Sequence, residues 1–384
     1  MHGASQCSGA PAQETQVDAT ASDNTTEGRD QGQDQGQDFE TGRLQRYLEE
    51  HVEGFVGPLQ ARRFSDGQSN PTYLLETPGQ RYVLRKKPSG VLLPSAHAVE
   101  REYRVITALH GSGVPVARTY CLCDDSTVIG TPFYVMEFVA GRVLWDPTLP
   151  GMQASERAAI YNDMNRVIAA LHGIDPVAAG LGDFGRPGNY FERQIARWTR
   201  QYRASETEPI AAMDALIGWL PENMPAGDEN RIVHGDLRLD NLIFHPTEPR
   251  IVAVLDWELS TLGHPLADFA YHALTWRLSA DEFRGMRGAD LAALGIPDEQ
   301  AYVDQYCERT GRGPIPPEEW NFYLAYSMFR LAAILQGILK RALDGNASSA
   351  HAFETGRKAR PIAEAGWRQA TGGRSASSLT QLIH

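Results

Sequence analysis

Two short stretches of the chain hold the residues that could carry out a reaction. The first, residues 234–241, reads HGDLRLDN, and the second, residues 255–258, reads LDWE. Phosphoryl transfer requires one carboxylate to orient a hydroxyl, and an amide and a second carboxylate can hold a divalent ion against the phosphates. Asp236, Asn241 and Asp256 supply these groups. They are therefore the candidate catalytic residue and the two candidate metal ligands.

These three side chains can meet only if the chain between them folds back. The segments Asn241–Phe244 and Ile251–Leu255 have the apolar pattern of short strands, and residues 245–250 between them contain two prolines and polar residues typical of a turn. A hairpin here would bring Asp256 to the strand end that carries Asp236.

The wider pattern changes from strands to helices along the chain. Short β-type runs dominate from 60 to 140, with one helical stretch from Ser95 to Leu109, and helices dominate from 155 onward. The sequence predicts an α+β fold with two lobes. A small β-rich lobe would span 42–140 and a larger helical lobe 141–360.

Both ends of the chain have the composition of flexible segments. Residues 1–41 are polar and acidic, with eight acids and one base in the first forty residues, and residues 361–384 are rich in small polar residues. We predict a disordered acidic tail and a flexible C-terminal segment. Much of the net charge of −12 lies in the tail, so the folded part lacks the basic face that nucleic-acid binding needs.

The composition also excludes several other classes of protein. The chain has no run of about 18 uncharged apolar residues, which a membrane-spanning helix requires. Its N-terminus lacks the basic start and apolar stretch of a secretory signal. The four cysteines are too scattered for a disulfide scaffold. We therefore expect a cytoplasmic protein with no membrane partner.

The HGDxxxxN and LDWE motifs resemble the catalytic loop and metal motif of the aminoglycoside phosphotransferase and choline kinase superfamily, whose fold is protein-kinase-like. The likeness covers about residues 42–358. It is strongest to the kinase-like domains of bifunctional acyl-CoA dehydrogenases and to their stand-alone bacterial relatives, through stretches 94–102, 188–194, 255–264 and 329–332. The resemblance implies ATP- and Mg-dependent phosphorylation of a hydroxyl on a small molecule.

The resemblance places the nucleotide in the small lobe. The loop 64–72 would cover the phosphates, with Gly67 permitting close backbone approach and Ser69 and Asn70 offering hydrogen-bond donors. The linker that follows the apolar strand at 133–136 would bind adenine through the carbonyl of Glu137 and the N–H of Val139.

A cation on the strand after this loop should contact the phosphates. Arg85 and Lys86 are adjacent and point to opposite faces, so only one can serve. We prefer Arg85, although many family members have lysine at this position. Both Glu100 and Glu102 on the following helix could pair with it, and the family pattern Val-Glu-Arg-Glu matches Glu102.

Other residues near the motifs have more than one interpretation. His234 fits a structural role in bracing the loop, and Asp268 resembles the buried aspartate that supports the catalytic loop in this family. Glu258 could touch a second metal or end a strand. Residues 180–185, GLGDFG, match a dinucleotide fingerprint, but they follow a helix and a loop rather than a strand, so we reject that interpretation.

The acceptor is the least determined part of the function. The resemblance implies a 4-hydroxyacyl-CoA, and arginines and lysines of the helical lobe suit an anionic acceptor: Arg186, Arg193, Arg197, Arg277, Arg330, Lys340 and Arg341. An aminoglycoside would instead need converging carboxylates, and the acid pairs at 281–282, 298–299 and 318–319 keep that alternative open. Each pair also fits a helix start. A non-catalytic nucleotide-binding domain is a further alternative.

Overall fold

The computed structural model describes residues 39–64, 70–89, 97–346 and 351–372. Most of the predicted acidic tail lies outside these residues, as do Gly67, Ser69 and Ser95. The described part confirms the predicted α+β architecture, with a β-sheet lobe followed by a helical lobe.

The small lobe is built on an antiparallel sheet of five strands in the order β1-β2-β3-β5-β4. A first helix, α1, covers one face of this sheet, and a second, α2, packs on the other side. The elements are α1 (Thr41–His51), β1 (Gln60–Arg63), β2 (Thr72–Glu76), β3 (Arg81–Lys86), α2 (Val99–Leu109), β4 (Thr119–Cys123), α3 (Ser126–Ile129) and β5 (Phe133–Glu137).

Alternation along β3 decides which side chains can reach the cleft. Tyr82 and Leu84 pack in the apolar cluster beneath α1, and Lys86 on the same face is fully buried, with its Nζ 5.6 Å from the ring centroid of Phe39. Arg85 therefore points to the opposite face, toward α2.

The chain enters the larger lobe through a tight connection at Gly141. A Cβ at this position would lie 2.2 Å from the carbonyl oxygen of Phe244, so only glycine fits without a backbone shift. The connection leads into β6 (Arg142–Val143), which pairs with the predicted hairpin, β8 (Leu242–Phe244) and β9 (Ile251–Val254). A second small sheet pairs β7 (Arg231–Val233) with β10 (Thr261–Gly263).

Ten helices of the described residues complete the larger lobe, and α11 is the central one among them. Helix α11 is long and apolar enough to cross a membrane, but 83% of its most apolar stretch is buried. The helix packs mainly against α13, α12, α7 and α5. The helices are α4 (Ala154–Gly173), α5 (Tyr190–Ser205), α6 (Ala211–Glu222), α7 (Pro265–Arg277), α8 (Ala280–Phe283), α9 (Leu291–Leu294), α10 (Glu299–Thr310), α11 (Pro317–Leu343), α12 (Ala352–Gly356) and α13 (Ala359–Ala370).

The prediction of a flexible segment from 361 was wrong over the length of α13. Ile362, Ala363 and Ala365 are buried there, and Gly366 lets the helix approach Met328 of α11 closely. The segment has an apolar face that contains these residues and a polar face with Glu364 and Arg368, which is a helical periodicity visible in the sequence. This pattern was overlooked because the residues that follow it are small and polar, and packing against α6 and α11 stabilises the helix further.

Candidate active site

The candidate catalytic loop, residues 234–241, connects β7 to β8 and is anchored from below by Asp268 of α7. The Asp268 carboxylate accepts hydrogen bonds from the backbone N–H groups of His234 (2.7 Å) and Gly235 (2.8 Å), and His172 Nε2 lies 3.3 Å from the same group. Burial alone would raise the pKa of Asp268, but hydrogen bonding and charge from His172 and His234 lower it to about 2. A buried, ionised carboxylate therefore fixes the start of the loop.

His234 braces the loop through hydrogen bonds, as predicted. Its Nε2 donates to the carbonyl of Leu255 (2.8 Å), and its Nδ1 accepts from the N–H of Asp236 (3.2 Å). The ring thus ties the loop to the far strand of the hairpin. Gly235 has a φ of 85°, and a Cβ there would lie 2.8 Å from the carbonyl oxygen of Leu259, so the tight turn before Asp236 requires glycine.

The Asp236 side chain has three polar neighbours. Asn241 Nδ2 donates to its backbone carbonyl (2.8 Å) and to its Oδ2 (3.2 Å), and Arg238 Nε lies 3.2 Å from its Oδ1. Tyr271 of α7 lies near the same carboxylate, and burial together with the negative charge of Asp236 raises the pKa of Tyr271 well above its usual value. Tyr271 therefore stays protonated, so its hydroxyl is able to donate to this carboxylate.

Asn241 and Asp256 lie at the same end of the hairpin. The N–H of Leu255 donates to the carbonyl of Asn241 (2.8 Å), which places the residues before β8 and after β9 side by side. Asp256 has a φ of 63°, a left-handed conformation that turns the chain sharply after the strand. Its Oδ1 accepts a hydrogen bond from Arg85 Nη2 of the small lobe (3.3 Å).

Arg85 and Glu102 form a buried ion pair between β3 and α2. Arg85 Nε lies 2.9 Å from Glu102 Oε2, and only 14% and 2% of the two side chains are exposed. Burial lowers the pKa of Arg85, but the carboxylates of Glu102, Asp256 and Glu258 outweigh burial, so the pKa is raised overall. Arg85 remains charged and faces carboxylates from both lobes.

Glu102 is surrounded by groups that fix its orientation. Asn70 Nδ2 donates to its Oε1 (2.6 Å), and the Tyr134 hydroxyl donates to its Oε2 (3.1 Å). Burial raises the pKa of Glu102 to about 7, against the opposing attraction of Arg85. The other candidate partner, Glu100, instead pairs with Lys87 (2.8 Å).

The structure gives three further candidate residues distinct positions. The Asn70 side chain is buried behind the ion pair, where its Oδ1 contacts His97 Nδ1 (3.0 Å), so only its backbone remains a candidate phosphate donor. Glu137 ends β5, and its carboxylate accepts from the N–H of Arg118 (3.2 Å). Val139 follows in the connection between the lobes, packed partly against the large core.

Glu258 belongs to the same cluster of charges. It lies in a short helical turn, residues 257–259, and its Oε2 is 3.8 Å from Arg85 Nη2. Among the described residues, no group of three His, Cys, Asp or Glu side chains is placed to hold a metal. The amide oxygen of Asn241 with the Asp256 carboxylate is nevertheless a donor set that suits Mg²⁺, which needs few protein ligands because water and phosphate supply the rest.

Two residues near Asp236, Arg238 and Tyr271, were not predicted from the sequence. Arg238 stands two residues after Asp236, so its proximity could have been read from the loop, but its sharing between two carboxylates could not. Tyr271 comes from α7 and has no local signal. Of the seven basic residues proposed for an anionic acceptor, Arg330 reaches the loop, where its guanidinium donates to the carbonyl of Gly235.

Comparison with known proteins agrees with this geometry. Residues 60–303 match the phosphotransferase enzyme family. Acyl-CoA dehydrogenase family member 10 of Mus musculus is 50% identical over 334 residues, which cover 85% of this chain and 31% of that protein. Family member 11 of the same organism is 44% identical, covering 85% and 43%. The chain therefore spans less than half the length of these relatives.

Solved structures show the same fold. A Ralstonia eutropha protein named as a candidate aminoglycoside phosphotransferase is 59% identical, with a TM-score of 0.81 over 88% of this chain and 100% of that one. An aminoglycoside phosphotransferase in complex with ADP and hygromycin B is 18% identical, with a TM-score of 0.55 over 85% of this chain and 98% of that one. The resemblance identified from the motifs is thus confirmed. The chain belongs to the phosphotransferase enzyme family and has its kinase-like fold.

Proposed function

We propose that the protein transfers the terminal phosphate of ATP to a hydroxyl of a small molecule, assisted by Mg²⁺. The observation that supports this most directly is the continuity of the site. Arg85 bridges Glu102 of the small lobe and Asp256 of the hairpin, and Asn241 beside Asp256 hydrogen-bonds to Asp236. Phosphoryl transfer depends on such positioning of charge more than on a reactive nucleophile.

Asp236 is the proposed catalytic residue. Its carboxylate would orient the acceptor hydroxyl and take its proton late in the reaction. Asn241 and Arg238 hold this carboxylate in place beside Tyr271, so little reorganisation is needed when the acceptor arrives.

Asn241 and Asp256 would hold Mg²⁺, which neutralises phosphate charge when it is bound. Arg85 would neutralise the non-transferred phosphates, with Glu102 fixing its direction. The loop 64–72 would cover them, with backbone groups of Gly67, Ser69 and Asn70 as donors. Glu137 and Val139 would bind adenine. Similar folds have been solved with ADP or an ATP analogue, which supports ATP as the donor.

The favoured acceptor is a 4-hydroxyacyl-CoA. Its support is the 44–50% identity to segments of proteins named as acyl-CoA dehydrogenases. Hygromycin B and spectinomycin are bound by proteins of related fold that are only 18% and 12% identical to this chain. Identity this low supports a shared fold but not a shared acceptor. The acid pairs that left an aminoglycoside acceptor possible lie at the starts of α8, α10 and α11. Acidic residues stabilise helix N-termini, which accounts for them.

The test is an ATP-consumption screen with hydroxyacyl-CoA esters, aminoglycosides, choline and homoserine as acceptors. Asp236→Asn keeps the size of the side chain but removes its basicity. We expect MgATP binding within about twofold of the wild type and a fall in kcat of at least about 100-fold, the usual contribution of a proton acceptor. Full activity of the variant with a confirmed acceptor would refute the mechanism. MgATP binding without turnover on any acceptor would favour the non-catalytic alternative.

A further inference from the structure

A cavity of about 60 Å³ opens beside the candidate catalytic loop. It lies between α4, α7 and α11 on the inside and the segment that follows β6 on the outside. The proposed function assigns no role to this space.

The deep walls of the cavity are apolar. Tyr161 and Met164 of α4, Leu274 of α7 and Leu331 of α11 line it, and each side chain is at least 95% buried. Contact between such walls and a hydrocarbon chain is favourable because it removes apolar surface from water. The hydroxyl and amino groups of a sugar would instead lose their hydrogen bonds to water there.

One end of the cavity meets the reacting position. Arg238 lines the cavity, and its Nε lies 3.2 Å from Asp236 Oδ1. Only the Arg238 side chain therefore separates the cavity from the carboxylate that would receive the hydroxyl.

The mouth of the cavity does not favour a polycation. The Asp240 carboxylate is already paired with Arg238 (3.1 Å) and with Arg284. The Arg284 guanidinium also lies 5.1 Å from the ring centroid of Trp145, a tryptophan that is 54% exposed at the mouth. An aminoglycoside would meet two guanidinium groups here and a carboxylate whose charge is balanced.

We propose that this cavity binds an aliphatic segment of the acceptor, adjoining the hydroxyl that is phosphorylated. The proposal rests on the proposed function in one respect, that Asp236 receives the hydroxyl. It identifies the acceptor class as an alcohol with an extended hydrocarbon part, and it does not depend on a CoA group.

Binding of straight-chain primary alcohols tests the cavity without turnover. Calorimetry or nuclear magnetic resonance titration of the full chain with 1-butanol and 1-octanol compares the same hydroxyl on chains that differ by four methylenes. Each buried methylene gives about a fourfold gain in affinity, so we expect 1-octanol to bind at least about tenfold more tightly. Equal affinities would overturn the proposal.

A matched pair of variants locates the binding. Leu331→Phe fills the cavity, whereas Leu335→Phe adds the same volume one turn later on α11, at a residue that is equally buried and does not line the cavity. We expect Leu331→Phe to abolish most of the advantage of 1-octanol and Leu335→Phe to preserve it. Met164→Phe fills the cavity from α4 and replaces Leu331→Phe if that variant does not fold.

Equal loss of chain-length dependence in both leucine variants would show that the alcohol binds elsewhere and would overturn the proposal. The experiments distinguish a failure of the cavity proposal from a failure of the proposed function. If 1-octanol binds as expected but no hydroxyacyl-CoA is phosphorylated, the cavity stands and the acceptor assignment falls. If a hydroxyacyl-CoA is phosphorylated but affinity does not follow chain length, only the cavity proposal is lost.

Discussion

The two halves of the candidate site are held by different kinds of contact. The candidate catalytic loop is anchored by Asp268, a carboxylate inside the core that binds two backbone N–H groups and His172. Helix α2, which carries Glu102, is attached to the large lobe by arginines at the surface. The lower half, which is the candidate catalytic loop with Asp268, therefore depends on groups that must keep one protonation state in a dry core. The upper half, which is α2 with Glu102, depends on contacts that water can replace.

The surface attachment uses the GLGDFG segment that was rejected as a nucleotide fingerprint. Arg101 donates to the carbonyl of Phe184 (2.7 Å), and its guanidinium lies 4.1 Å from the centroid of the Phe184 ring. Arg104 donates to the carbonyl of Gly180 (2.8 Å) and pairs with Asp183. This segment thus serves α2 rather than a dinucleotide, and it sets the position of Glu102 from the large lobe.

Removal of the buried anchor should have the largest effect. Asp268→Ala leaves two buried N–H groups and His172 without their acceptor, which costs about 3–5 kcal/mol of unfolding free energy. Because the loop start is then free to shift, we expect kcat to fall at least about 100-fold. Urea unfolding and steady-state kinetics measure the two effects. An unchanged kcat in a folded variant would show that Asp268 does not position the loop.

Acid should weaken the lower half. Burial lowers the pKa of His272, which hydrogen-bonds to the catalytic-loop carbonyl of Leu237, to about 4. The unfolded chain then takes up the proton first as pH falls, so stability is full above about pH 6.5 and is lost toward about pH 4, by roughly 3 kcal/mol. Urea unfolding between about pH 7 and pH 4.5 should show this slope, and His272→Gln should flatten it. An equal slope in the variant would contradict the assignment.

The upper half should respond to pH in the opposite direction. The raised pKa of Glu102, about 7, lies above that of the unfolded chain, so its contribution to stability is present below about pH 4.5 and is lost as pH rises through 7. Function has the reverse requirement, because only the ionised carboxylate attracts Arg85. The KM for ATP should therefore rise as pH falls from about 8 to 6.

Glu102→Gln tests this link. We expect a KM for ATP about tenfold above the wild type at pH 8, equivalent to about 1.4 kcal/mol of binding, and a weaker dependence on pH. Glu100→Gln is the matched control on the same helix, since Glu100 pairs with Lys87 outside the cluster. Protonation of ATP itself also changes the KM with pH, but this effect is the same in both variants and cancels in the comparison. A larger effect at position 100 than at 102 would reverse the assignment of the partner.

The surface attachment should give the smallest effects. Arg101→Ala removes a charged hydrogen bond worth about 1 kcal/mol, and the looser α2 should raise the KM for ATP about threefold with kcat nearly unchanged. Arg101→Lys should restore part of the affinity. Asp183→Ala removes a carboxylate that is 78% exposed, and neither its melting temperature nor its kinetics should change. Equal losses in the alanine variants would contradict a specific role for Arg101.

What the sequence could predict follows from the range of each interaction. The hairpin and the catalytic loop lie within about 25 consecutive residues, and strand alternation separates Arg85 from Lys86, so local patterns were sufficient there. The attachment of α2 to residues 180–185 and the proximity of Tyr271 to Asp236 join segments that are distant in the chain. Their signals lie in packing, which periodicity does not record.

An arginine at position 85 also determines which reagents can report on the nucleotide site. Probes that deliver an acyl group to a lysine amine beside bound phosphates need a nucleophilic nitrogen there, and a guanidinium that stays protonated is a poor one. The neighbouring amine of Lys86 is enclosed under α1 on the opposite face of the sheet. Such probes should accordingly leave position 85 unmodified even when nucleotide fills the proposed site.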